Sequence, residues 1–362
     1  MAISAASVGV EAALARVVGR QVPGVSLAVV NPTGVEWSTG VGMADLGAAQ
    51  PATAETVYLW FSMTKIVTAT AVMQLAERHA LELDQPAAEL VPALASATWR
   101  GRRVPITIRQ LLSHTAGLPN PIPVGWVHQA EAPAPDSRAW AERLLARHTR
   151  LACEPGSRTG YSNLGYVALG QAIAAASGQP YEEYVRASIL RPLGMASTDF
   201  VCTGSMRRRA ATGYQPRWSA MTLLLPFLLP RGILGRTYGR YIAFQPFYVD
   251  GAAYGGLVGS VEDAGRFALL HVCGGELDGV RLLSPESIVQ MQNLSHTGPD
   301  LDVGLGWFRK RAELHRGETF VEHLGGGAGF FNVMRLWPDR ARAAVVMGNA
   351  TSYDQAAILN AL

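Results

Sequence analysis

The stretch LWFSMTKIVTATAVMQLAERH, Leu59–His79, decides how the rest of the chain is read. From Phe61 to His79 no Gly or Pro interrupts it, and Ile66, Ala69, Thr70, Met73 and Ala76 recur at helical spacing on one face. Ser62 stands at the mouth of this helix, a residue type suited to an N-cap. Lys65 is harder to place. The chain has 29 Arg but only two Lys, Lys65 and Lys310. Leu59, Trp60, Phe61, Met63, Ile66 and Val67 flank Lys65, which is no setting for a solvated cation. Arg keeps its proton in a protein, whereas burial lowers the pKa of a Lys toward neutrality. Ser62 and Lys65 are three positions apart, so they share a helix face, and a neutral amine there can take the serine proton. The backbone N–H groups of the helix start lie where an oxyanion would form. The plain alternative is a capping serine beside a surface lysine, and the apolar flanks speak against the surface lysine.

Working outward, strands lie at both ends of the chain and helices in the middle. Val25–Val30 and Val35–Thr39 are β-rich runs joined by Asn-Pro-Thr-Gly, which reads as a hairpin. Gly304–Arg309, Thr319–Leu324, Phe330–Trp337 and Ala343–Gly348 read as strands, with Pro338-Asp339 as a turn. Leu164–Ser177, Glu262–Cys273 and Pro285–Gln292 read as helices, the first stopped by Gly178. The economical assembly is α+β: one antiparallel sheet built from both termini and flanked by helices, with a mainly helical domain inserted. Residues 1–83 and 246–362 would form the α/β domain, and residues 84–245 the insertion.

Composition removes several function classes. Of 362 residues, 49% are apolar and 16% charged, which is a globular composition with a large core. A net charge of +3 is too weak a field to argue for nucleic acid. The three cysteines (Cys153, Cys202, Cys273) are widely spaced without a CxxC, which fits a reducing compartment and no zinc site. The histidines His114, His128, His148, His271 and His296 lack HxH or HExxH spacing, so neither metal nor cofactor is expected. His114, in SHTAGL, is read as holding a loop by hydrogen bonds. The N-terminal MAISAASVGVEAALARVVGR reads as a short amphipathic helix with Val10, Ala13, Leu14, Val17 and Val18 on one face, not as a signal peptide. No apolar run reaches membrane-spanning length, so the expectation is a cytoplasmic protein without stable membrane insertion.

Two further segments bear on the chemistry. Tyr161-Ser162-Asn163 follows the turn Glu154-Pro155-Gly156 and precedes a helix. His323-Leu324-Gly325-Gly326 closes a strand and runs into Gly327-Ala328-Gly329. Each alone reads as a turn or a bulge. In this order and spacing, with SMTK ahead of them, the chain resembles the serine β-lactamase-like hydrolases. The resemblance is to the class C β-lactamase-related branch with its family VIII carboxylesterases. It runs from about Val22 to Asn349 and includes LLSHTAGLP (Leu111–Pro119), LRPLGMAST (Leu190–Thr198), GGLVGSVEDAGRF (Gly255–Phe267) and GLGW (Gly304–Trp307).

The resemblance implies that Ser62 is the acylated nucleophile, activated by Lys65 coupled to Tyr161, a proton-relay tyrosine whose phenolate character the lysine favours. It implies that Asn163 orients Lys65 and substrate, and that the N–H groups of Ser62 and Gly326 form the oxyanion hole beside His323 and Gly325. This chain departs from the pattern at His323, where lactamases and penicillin-binding proteins of the family usually carry a Lys-Thr/Ser-Gly triplet. A largely neutral His followed by Leu324 suits an uncharged ester better than an anionic drug. The expectation is therefore a carboxylesterase working on small-molecule esters through an acyl-enzyme. Its rivals are a β-lactamase or D-alanyl peptidase, an acyltransferase, and a non-catalytic binding module. Nothing in the sequence fixes the oligomeric state. The segment Ala220–Val249 is apolar, aromatic and broken by Pro and Gly. It reads first as core of the helical domain, then as the lid or wall of an acyl pocket, and last as contact with a membrane surface.

Overall fold

The computed structural model describes residues 5–311 and 319–362. The segment read as an N-terminal helix is helical from Ala5 to Val17 (α1), and its first four residues lie outside the described ones. Strands β1 (Gly24–Asn31), β2 (Gly34–Asp45) and β3 (Gln50–Pro51) follow. Then come helices α2 (Thr64–Glu77), α3 (Asn163–Ser177), α4 (Ala220–Leu228), α5 (Val261–Val272) and α6 (Pro285–Gln292). The chain returns to strands with β4 (His296–Thr297), β5 (Leu301–Val303), β6 (Phe308–Lys310), β7 (Val321–Gly327), β8 (Phe330–Trp337) and β9 (Arg342–Gly348), and a helix α7 (Gln355–Leu359) follows. These strands form one antiparallel sheet in the order β4-β5-β6-β7-β8-β9-β1-β2-β3, so strands from both ends of the chain meet where β9 pairs with β1.

Period-two alternation in the central strands feeds two cores. Val25, Leu27 and Val29 of β1, with Ala344 and Val346 of β9, pack under α1 and α7 against Val10, Ala13, Leu14, Ile358 and Leu359. On the other face Ala28, Val30, Val345 and Met347 join α2 and α5. Helix α2 is therefore buried all round: every residue from Thr64 to Leu75 is buried, not only the stripe its sequence spacing suggested. It lies between the sheet and the helical layer, so its polar positions Lys65, Thr68, Thr70 and Gln74 need internal partners.

Two readings are corrected. Gly304–Arg309 is not one strand: β5 and β6 form a hairpin whose turn is Gly304–Trp307, closed by the Gly304 N–H donating to the Trp307 carbonyl at 2.9 Å. Gly306, at φ +86°, makes the turn and lets it lie on α2, where an added Cβ would come within 2.5 Å of Ala69. The second correction concerns Ala220–Val249, which is core only in part. Leu225, Ile233, Phe244 and Phe247 are buried, while Leu223, Leu224 and Phe227 face outward from α4.

Candidate active site

The chain reaches the site through β-structure and a strained turn. Asn332 of β8 donates its side-chain N–H to the Leu59 carbonyl at 2.7 Å, which ties the sheet to the segment entering α2. Phe61 then takes φ +47°, a left-handed conformation that is costly for an aromatic residue. Ser62 follows inside a short 3₁₀ turn, Phe61–Met63, that runs straight into α2. Met63, with no side-chain cap, is the N-cap of α2, so Ser62 does not cap the helix as its position suggested. Its hydroxyl is turned to Lys65, with Oγ and Nζ 2.9 Å apart.

Lys65 is fully buried, and its Nζ donates to the Tyr254 carbonyl at 2.7 Å. The rings of Tyr161, Tyr166 and Tyr254 surround it, with centroids 5.1, 5.5 and 5.3 Å from Nζ. Tyrosine faces favour a cation, but desolvation wins and pushes the Lys65 pKa well below that of an ordinary lysine. Once its proton is lost, the amine can accept the Ser62 O–H at its lone pair while an amine N–H still donates to the Tyr254 carbonyl. Tyr254 was not found from the sequence. Its loop is clamped to α2 by Thr68 Oγ1 donating to the Ala253 carbonyl at 2.7 Å, and by the Leu257 N–H donating to Thr64 Oγ1 at 3.2 Å.

Tyr161 is half-buried. Burial raises its phenol pKa, and only a hydrogen bond with Ser62 pulls the other way. Burial thus opposes the phenolate character expected at this position. Asn163 opens α3 and its N–H donates to Asn120 Oδ1 at 3.1 Å. The partners of Lys65 Nζ are Ser62 and the Tyr254 carbonyl, so that carbonyl does the orienting expected of Asn163. Asn163 Oδ1 is buried without a hydrogen-bond partner among the described residues.

His114 holds a loop by hydrogen bonds, as its motif suggested: the Ser162 N–H donates to its Nδ1 at 3.2 Å, and its ring lies 4.4 Å from that of Tyr161. Burial, helped by the field of Lys65, pushes the His114 pKa down to about 3. His323 is fully buried on β7, its ring 6.3 Å from that of Tyr161. Its Nδ1 lies 2.8 Å from the Leu324 carbonyl, and that bond requires the proton on Nδ1. Nε2 is therefore a bare lone pair, without a hydrogen-bond partner among the described residues. Desolvation first, then the Lys65 field, lowers its pKa well below that of ordinary histidine.

Strand β7 lies directly against the nucleophile turn. A Cβ on Gly325 would fall 2.0 Å from the Trp60 carbonyl oxygen and 3.2 Å from the Met63 nitrogen. Gly327 meets the Phe61 ring in the same way, at 2.2 Å. Gly325 and Gly327 are thus contact surfaces as much as flexible residues, and Gly326 between them is exposed.

With this geometry in hand, comparison with known proteins places the chain. The profile of the beta-lactamase family matches residues 10–362, and the chain belongs to that family. It is a serine hydrolase of the β-lactamase and penicillin-binding fold. A D-alanyl-D-alanine-carboxypeptidase/endopeptidase of Escherichia coli strain K12, AmpH, is 26% identical over 291 residues, spanning 79% of this chain and 69% of its own. The D-amino acid amidase of Ochrobactrum anthropi SV3 superposes with a TM-score of 0.80 at 23% identity, covering 98% of both chains. EstCE1, described as a hydrolase with promiscuous acyltransferase activity, superposes at 0.75 and 22% identity, covering 96% of this chain and 94% of its own. At these identities the two structures speak for the fold.

Proposed function

We propose that the protein hydrolyses carboxylic esters through an acyl-enzyme on Ser62. Neutral Lys65 takes the Ser62 proton as Oγ attacks the ester carbonyl carbon. The N–H groups of Ser62 and Gly326 hold the oxyanion. Collapse breaks the acyl C–O bond, and the leaving alkoxide takes the Tyr161 proton, which the Lys65 ammonium replaces. Water then attacks the acyl-enzyme by the same route and the acid leaves. The chemistry uses only groups of this chain, with a small-molecule ester as partner and no cofactor.

The observation that carries this reading is His323. Its imidazole is buried and neutral and presents a lone pair, so it offers no fixed positive charge to a substrate carboxylate. β-Lactams and D-alanyl peptides carry such a carboxylate, and simple esters do not. Peptidase action is the second reading, favoured by the AmpH likeness across 79% of the chain.

The test compares wild type and Ser62→Ala on p-nitrophenyl butyrate, nitrocefin and a D-alanyl-D-alanine peptide. Ester cleavage that is fastest of the three and lost in the variant supports the reading. Faster nitrocefin or peptide turnover would overturn the argument from His323. Butyryl transfer to an added alcohol in preference to water would make the protein an acyltransferase.

A further inference from the structure

Between Asp199 and Asp250 the chain carries seven Arg and no Asp or Glu. That charge exceeds the +3 of the whole chain, so the positive field is concentrated in one region. Within the segment, α4 breaks the usual burial rule. Leu223 is 76% exposed, Phe227 78% and Trp218 85%, with Met221 and Leu224 exposed beside them. Leu225 alone anchors the helix inward among its nine residues. The Gly125 N–H donates to the Leu228 carbonyl at 3.1 Å, which brings the exposed Ile122 and Val124 up to the same helix. Arg217 stacks on the Trp218 ring at 4.9 Å, and its backbone N–H donates to the Arg240 carbonyl at 2.8 Å, so two cationic residues sit side by side. Arg231 follows the helix directly. Among the described residues the ion pair of this stretch is Arg209 with Glu55, whereas Arg217, Arg231, Arg236 and Arg240 face no carboxylate.

We propose that this face docks on the surface of an anionic lipid bilayer. Leu223, Leu224 and Phe227 would enter the acyl boundary while Arg217 and Arg231 meet phosphate groups at its edge. A short helix with large apolar residues outward and arginines at both ends has the form of an interfacial element that lies in the plane of the headgroups. Trp218 is the residue type that sits at that level. No described helix is long and apolar enough to cross a membrane, so the contact is peripheral. The charge pattern favours lipid over a second copy of the chain, because two such faces would set like-charged arginines against each other. The surface also borders the site. The loop holding Ile122 starts at Asn120, the partner of Asn163, and Phe247 from the same segment packs on Phe61 at 6.4 Å. A docked molecule would hold this side of the site next to the lipid.

The test is flotation of the full chain with vesicles of equal parts phosphatidylglycerol and phosphatidylcholine, and with vesicles of phosphatidylcholine alone. Wild type should float with the anionic vesicles, and high salt should lower its partition about tenfold. Leu223→Ser with Phe227→Ser should lower it at least tenfold while hydrolysis of p-nitrophenyl butyrate is unchanged. Arg217→Gln with Arg231→Gln should remove the salt dependence. Wild type that stays with the free protein, or serine variants that float as well as it does, would overturn the proposal. So would a wild-type dimer in sedimentation equilibrium that the serine variants convert to monomer, since a second copy would then cover the face.

Discussion

The start of α2 and the surface of α4 break the same rule in opposite directions. At the first, a lysine is fully buried among three tyrosine rings. At the second, Leu223 and Phe227 are left in solvent beside arginines that face no carboxylate among the described residues. Each departure costs stability that ordinary residues would not cost, and function is the usual reason such a cost is kept. The buried site is also tightly determined: glycines of β7 touch the nucleophile turn, and the Tyr254 loop is bonded to α2. The α4 surface is fixed inward by one leucine, so its outer residues can change without disturbing the packing. Substitutions at the first region should therefore move chemistry, and stability as well where they touch burial or packing, whereas those at the second should move neither.

The largest effect belongs to Lys65→Met. Hydrolysis should fall by on the order of 10⁴-fold or more, as when one member of a nucleophile–base unit is lost. Stability should move the other way. The Lys65 pKa in the folded protein lies well below that of the unfolded chain, so between the two values the unfolded state binds one more proton. Stability of the wild type then rises with pH across that window, by about 1.4 kcal/mol per pH unit from this group alone. Lys65→Met should unfold at a higher temperature than wild type at neutral pH, and the gap should narrow toward alkaline pH. A variant no more stable than wild type would mean that the lysine is not desolvated. The same pKa places the acid limb of wild-type kcat/KM well below the range of ordinary lysine, and activity should fall with acidification as Lys65 protonates.

Tyr161→Phe comes next. The ring stays beside Lys65 and His114 while the relay hydroxyl goes, so kcat should drop by roughly 10²–10³-fold with little change in unfolding temperature. A loss matching that of Lys65→Met would give the tyrosine a larger share of the base role than its raised pKa allows.

Gly325→Ala tests the contact between sheet and turn. The added Cβ would fall 2.0 Å from the Trp60 carbonyl, and both neighbours are backbone, so the strand or the nucleophile turn must shift. A stability loss of about 1–3 kcal/mol should accompany an activity loss of about tenfold or more. Gly326→Ala, whose Cβ meets only the Phe331 ring at 3.0 Å, should be milder in denaturant unfolding.

How much of this was legible in sequence follows from where each signal lives. The hairpin of β8 and β9 is readable because two apolar, β-rich runs flank the local turn signal Pro338-Asp339. Helix α3 is readable because Ser162 caps it and Gly178, at φ +69°, ends it. The hairpin of β5 and β6 is not, since Gly304–Trp307 continues an apolar run and only its approach to α2 shows it to be a turn. In the site, Ser62 and Lys65 are found because one helical turn joins them. Tyr254 contributes a carbonyl oxygen from 189 residues away, and a carbonyl leaves no trace in residue identity. The raised pKa of Tyr161 escapes for a related reason: the lysine nearby suggests a phenolate, and the burial that opposes it is a property of the assembled fold.

The smallest expected effect completes the comparison. Phe227→Ser removes an aromatic ring, a change that in the core would cost about 3–5 kcal/mol. Here the ring is 78% exposed, so little contact is lost and the unfolding free energy from urea titration should move by no more than about 0.5 kcal/mol. Hydrolysis of a soluble ester should be unchanged as well. Paired with Phe61→Ser, where a ring of the same kind is buried against Phe247 and Phe330 at the nucleophile turn, the measurement sets one residue type in two environments. Equal losses at the two positions would mean that α4 packs on the site as a wall of the pocket, and its exposed residues would then belong to substrate binding instead of to an outside surface.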